Sequence, residues 1–133
     1  MSLDITSRIV LGVVVIDMHG RLCLLEVALR AHIDELLDEG HRDFVLNLAD
    51  VPYIDSFGLG QLVSIWTRLQ ARGGQFILLR PTDRIRKLFQ ITRLNSVFRT
   101  EGEETQAIRT ARRSSSGNRS TAVTISQSAL EIV

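Results

Sequence analysis

Asp55 and Ser56 stand side by side in Tyr53-Ile54-Asp55-Ser56-Phe57-Gly58-Leu59-Gly60, where an apolar run meets a helical pattern. A serine in that place has three uses. As a hydrolase nucleophile it needs a base, an orienting acid and an oxyanion hole. The elbow pattern G-x-S-x-G is half present, since Gly58 fits but Ile54 occupies the first glycine position. His19, His32 and His41 are the candidate bases, and none carries a recognisable motif. Those histidines and the single Cys23 make no familiar zinc spacing. The stretch S-F-G-L-G-Q lacks the lysine and spacing of a phosphate-binding loop. The expectation is therefore no catalytic residue, no cofactor and no metal.

The second use is structural. Ser56 or Asp55 can cap the helix that follows, since an oxygen there accepts from a free first-turn N–H, a bond whose loss costs about 1 kcal/mol. Capping leaves Gly58 and Gly60 unexplained, because each glycine in a helix costs roughly 1 kcal/mol against alanine. Tight packing on the sheet is one reason for them, and bare backbone offered to a partner is another. The third use is phosphate acceptance. A helix N-terminus suits a phosphate, while Asp55 opposes an added charge of about −1.5 to −2. Such a modification changes the surface sharply without unfolding the domain.

The elements that must position this segment are legible in the pattern. Ile9 to Ile16 is rich in β-branched residues and predicts strand, with a turn near Gly12. Leu25, Leu29, Ile33, Leu36 and Leu37 recur at helical spacing, and Gly40 supplies a stop. Phe44 to Leu48 predicts a strand, and Leu59, Leu62, Val63, Trp66 and Leu69 the stripe of a helix ended by Gly73-Gly74. Gln75 to Leu79 predicts another strand, closed by Pro81. Thr82 caps a short helix whose inner residues are Ile85, Leu88 and Phe89. Asn95 to Arg99 is expected to add an edge strand, and Glu103 to Ala111 a last helix. Strands alternating with helices imply an α/β sandwich with parallel neighbours. Arg112 to Ser120 has a linker's composition, and Thr121 to Val133 favours disorder over a strand through Ala122-Val123-Thr124-Ile125.

With 133 residues and 44% hydrophobic content, the chain suits one compact domain. Sixteen basic and fifteen acidic residues give a net charge of +1, which offers no whole-chain argument for nucleic-acid binding, and none is expected. Arg80, Arg84, Arg86, Lys87 and Arg93 nevertheless cluster around the short helix. A solvated basic face is the plain reading; a site for an acidic surface or a phosphate is the functional one. One cysteine allows no internal disulfide, so a reducing compartment is expected. No signal peptide is evident, and the longest apolar stretch is far short of the roughly 20 residues that span a bilayer. A cytoplasmic location without direct membrane insertion is the expectation.

Four blocks together resemble the STAS domain family, in its stand-alone form called anti-sigma factor antagonist. They are His19-Gly20-Arg21-Leu22, Phe44 to Val63, Gly73 to Pro81, and Ile85 to Phe98, at the family's distances. The resemblance covers about residues 3 to 111, so a domain is expected over 1–111 and a tail over 112–133. It implies a small mixed β-sheet with helices mainly on one face, and partner switching rather than catalysis. In that family the unphosphorylated protein binds an anti-sigma factor that is also a serine kinase, and so frees a sigma factor. The kinase phosphorylates the serine after the motif's aspartate, and a metal-dependent phosphatase reverses it.

That serine maps onto Ser56. Asp55, Phe57, Gly58, Leu59 and Gly60 map onto the docking surface, Arg21, Leu22, Cys23 and Leu24 onto a second contact segment, and Asn47 onto a polar position just below the phosphosite. Two residues depart from the family. Phe57 stands where Ser, Thr or Ala is common; it is either an exposed anchor or tucked against its sheet. Cys23 replaces a common acid, and reads more simply as a small apolar filler than as a thiol sensor. The rival within the fold is a constitutive subunit of a lipid-transport ABC complex or a stress-sensing assembly, in which Ser56 is not phosphorylated. Homodimerisation is left open.

Overall fold

The computed structural model describes residues 3–22 and 28–115. β1 (Asp4–Val10) and β2 (Val13–His19) form a hairpin, followed by α1 (Ala28–Asp38), β3 (Asp43–Asp50) and α2 (Ser56–Ala71). β4 (Gln75–Leu79), α3 (Asp83–Ile91), a 3₁₀ turn (Leu94–Ser96), β5 (Arg99–Glu101) and α4 (Glu104–Ser115) complete it. The sheet order is β1-β2-β3-β4-β5; the hairpin is antiparallel and every other pairing is parallel. Its turn is Leu11-Gly12, with both φ values positive (54° and 84°). A two-residue turn with that geometry matches the twist of the strands it joins.

Period-two alternation sorts the strand residues between two cores. Val14, Ile16, Met18, Phe44, Leu46, Leu48, Phe76 and Leu78 face the side covered by α1, α2 and α3. Leu29 and Ile33, Leu62, Trp66 and Leu69, and Ile85 and Phe89 close that core from the three helices. Val13, Val15, Val45, Ile77 and Leu79 face the other side, where Ala107, Ile108 and Ala111 of α4 cover them. The sheet is thus mixed, with helices mainly on one face, as the resemblance implied.

Local details differ from expectation in three places. The strand expected over Asn95 to Arg99 begins only at Arg99. The chain first makes a 3₁₀ turn because Phe98 drops into the core, edge-on to Phe89 and Phe76 at 5.3 and 6.1 Å. α4 continues to Ser115, beyond the boundary expected at Ala111, so Arg112 to Ser115 are helical rather than linker. Adding a turn to a helix already docked through Ala107 and Ala111 costs little, since nucleation is the expensive step. Ile65 joins the buried face of α2, while Leu59 is only half-buried. Leu25 and the segment Thr121–Val133 lie outside the described residues.

Candidate functional site

The end of the sheet where β3 runs into α2 is built by two loops zipped together. Gly20 N–H donates to Asp50 C=O at 3.0 Å, Leu22 N–H to Tyr53 C=O at 3.1 Å, and Asp55 N–H to Leu22 C=O at 3.3 Å. Leu22 and Ile54 form a parallel bridge. These bonds continue the sheet past β2 and β3 and bring the His19-to-Leu22 block against the Tyr53-to-Gly60 block. Buried Leu22 anchors the junction.

Asp55 is the cap of α2. Its backbone is extended, and Oδ1 accepts from Gly58 N–H at 2.7 Å. Ser56 is therefore relieved of capping; it is the first helical residue and is exposed. Phe57 beside it is 58% exposed and does not tuck against the sheet. The two glycines have different reasons. A Cβ on Gly58 would lie 2.2 Å from the Leu22 carbonyl oxygen, so that position is glycine because two backbones touch. A Cβ on Gly60 would meet nothing within 4 Å.

Beside Ser56, between the Tyr53–Asp55 loop and α3, lies a groove of about 410 Å³. Tyr53, Ser56, Arg84, Lys87, Leu88 and Ile91 are among the residues that line it. The Arg84 and Arg21 guanidinium groups lie over the Tyr53 ring, 5.4 and 5.7 Å from its centroid. Such contacts hold long cationic side chains at a surface while leaving their charge available. Ile91, 80% exposed, forms part of the groove's wall.

Several expected docking residues are thus brought together, but not all as surface. Arg21, Asp55, Ser56, Phe57, Leu59 and Gly60 reach the surface in full or in part. Leu22 and Gly58 are buried and offer no side chain to a partner; the first is core and the second is the backbone contact that seats α2. Cys23 and Leu24 lie outside the described residues. Asn47 turns away from the face that α2 covers. Leu46 and Leu48 take the face under α1 to α3, so the residue between them turns to the α4 side. There its amide donates to Asp17 Oδ1 at 2.8 Å, and its carbonyl accepts from Ala49 N–H at 3.1 Å. The α3 side of the groove was missed as part of the site. Its signal was in the sequence, in Arg84, Lys87 and Ile91 at i, i+3 and i+7.

A second polar cluster lies on the α4 side. Arg8 donates to Asp17 at 3.0 Å and to Glu104 at 2.8 Å, joining β1, β2 and α4. The bonds to Arg8 hold the Asp17 and Glu104 carboxyls below the usual carboxylate range. Two of the three histidines are engaged elsewhere: His19 Nδ1 lies 2.8 Å from Asp50, and His32 Nε2 lies 2.9 Å from Ser7 Oγ. No histidine lines the groove at Ser56. Among the described residues no group of three or more metal-ligating side chains is gathered, and no helix is long and apolar enough to cross a membrane.

A family model described as the STAS domain matches residues 4–107. Over 66 residues the chain is 38% identical to a Thermotoga neapolitana protein described as a candidate anti-sigma factor antagonist, a match over 50% of this chain and 58% of that protein. It is 34% identical over 87 residues to the anti-sigma-B factor antagonist of Staphylococcus aureus, over 62% of this chain and 81% of the relative. The solved structure of the Bacillus cell fate determinant SpoIIAA in its phosphorylated form is similar with a TM-score of 0.64 at 28% identity, over 80% of this chain and 99% of that one.

Proposed function

We propose that this chain, which belongs to the STAS domain family, is an anti-sigma factor antagonist switched by phosphorylation of Ser56. It acts by binding rather than catalysis. Unmodified, it docks on an anti-sigma factor with serine kinase activity and so releases a sigma factor. Phosphorylation of Ser56 by that partner ends the complex, and a serine phosphatase restores it.

One observation carries this reading. Ser56 is an exposed hydroxyl with no structural duty, because Asp55 already caps α2. It lies between exposed Phe57 and the groove, in a surface suited to a protein partner. No histidine lines the groove beside it, which favours modification of the residue over a Ser–His type of catalysis. The S. aureus and SpoIIAA similarities support the same direction. Phosphoserine next to Asp55 presents two anionic groups that a partner must desolvate or repel.

The test is incubation with the cognate anti-sigma kinase and ATP, with phosphate mapped by mass spectrometry. Labelling of Ser56, lost in Ser56→Ala, is expected, together with loss of the complex on labelling. Normal labelling of Ser56→Ala, or no modification of Ser56, would sink the switch.

A further inference from the structure

We infer that a phosphate on Ser56 is held in cis, across the groove, by Arg84 and Lys87 of α3. This rests on reading Ser56 as the phosphate acceptor, and adds where the new charge goes within the molecule. Arg84 and Lys87 are three residues apart on one helix, both exposed, and both line the groove that Ser56 lines from the other side.

Arg86 and Arg80, the cations on either side in the basic run, already have acceptors. Arg86 Nε donates to Pro81 C=O at 3.2 Å, and Arg80 Nε to Gly102 C=O at 2.9 Å. Arg8, Arg68 and Arg99 lie in ion pairs. Among the described residues Arg84 and Lys87 form no ion pair, and Arg84 has only the Tyr53 ring as a partner for its charge. The two cations that share a wall with Ser56 thus have no anion of their own among the described residues.

The electrostatics need them. Asp55 is the anion nearest in sequence, and it disfavours a second full charge beside it. A guanidinium and an ammonium reverse that balance and satisfy the phosphate oxygens, the guanidinium through paired N–H groups. Drawing both side chains to Ser56 also fills the groove between Tyr53 and Ile91. Phosphorylation then removes a recess that a partner would enter, in addition to repelling it.

The experiment installs phosphoserine at position 56 during translation, so it needs no kinase. Failure of a kinase to label Ser56 would sink the proposed function and leave this measurement intact. The phosphate of the full chain is titrated by ³¹P NMR. The groups facing it are Asp55 and Tyr53 from the loop, Arg84 and Lys87 from α3, and Arg21 over the Tyr53 ring. The folded chain is expected to titrate below the same chain in urea, because cations favour the dianion. Combined Arg84→Gln and Lys87→Gln substitutions should raise the midpoint by about one unit, and salt should shrink that difference. Arg86→Gln, on the same helix but away from the groove, should leave it in place. An unchanged midpoint in the double variant, or an equal shift in Arg86→Gln, overturns the inference.

Discussion

The α4 side of the sheet and the Ser56 end use the same kinds of side chain for opposite purposes. On the α4 side, Arg8 meets Asp17 and Glu104, and Asn47 completes Asp17, so the charges are matched within the fold. At the Ser56 end, Arg84 and Lys87 have no carboxylate partner among the described residues, and Phe57 and Ile91 stand in solvent. The first arrangement ties β1, β2 and α4 together. The second leaves charge and apolar surface exposed. Closure of a polar cluster marks a structural role here, and lack of closure marks the surface proposed as the interface.

The sharpest break in this contrast would come from Gly58, where the helix start and the Leu22 loop touch backbone to backbone. Gly58→Ala puts a methyl group where the Leu22 carbonyl stands, and backbone on both sides cannot yield cheaply. A loss of about 3 kcal/mol is expected in urea unfolding. A loss below about 1 kcal/mol would mean that the two loops are not seated on each other.

Next in size is Arg8→Ala on the closed side, expected to cost between about 1 and 2 kcal/mol after discounting for its partial exposure. Its pH signature is more specific. Asp17 and Glu104 are held below their ordinary range, so the native state binds fewer protons than the unfolded chain in acid. Their contribution is full above the unfolded carboxylate values near 4 and fades as pH falls through the lower native ones. Arg8→Ala should therefore lose less stability than the parent between about pH 5 and pH 2. Parallel acid profiles would break the assignment.

Asp55→Ala, at the open end, should cost about 1 kcal/mol through loss of the cap, and Asp55→Asn should recover most of it. Equal losses in both variants would mean that charge, not the hydrogen bond to Gly58, holds the helix start.

Legibility in the sequence follows the same division. The strands and helices were readable because their apolar residues alternate or recur with the period of the element that buries them. Thr82 was readable as a cap because capping is local, and its Oγ accepts from Ile85 N–H. Ser56 was readable as a candidate, yet which of Asp55 and Ser56 caps depends on backbone angles that composition does not carry. The face that Asn47 takes depends on strand phase, which Leu46 and Leu48 set. The Arg8 cluster and the Arg68–Asp34 pair between α2 and α1 join residues far apart in the chain and left no local signal. The basic run of α3 was visible, but only the packing of α3 beside the Tyr53 loop makes Arg84 and Lys87 neighbours of Ser56.

Gly60→Ala has the smallest expected effect on stability and divides the two roles most cleanly. A methyl group there meets nothing within 4 Å, and alanine is the better helix former, so stability should rise by about 0.5 kcal/mol. Two residues earlier the same substitution is expected to be the most damaging of the set. If Gly60 is glycine so that a partner can approach bare backbone beside Phe57, affinity for the anti-sigma factor should fall roughly tenfold even as the fold strengthens. A gain in stability with no loss of binding would move the docking edge away from this turn of α2, toward the groove and α3. A loss of stability would make Gly60 a second Gly58 and leave the helix start without an open position.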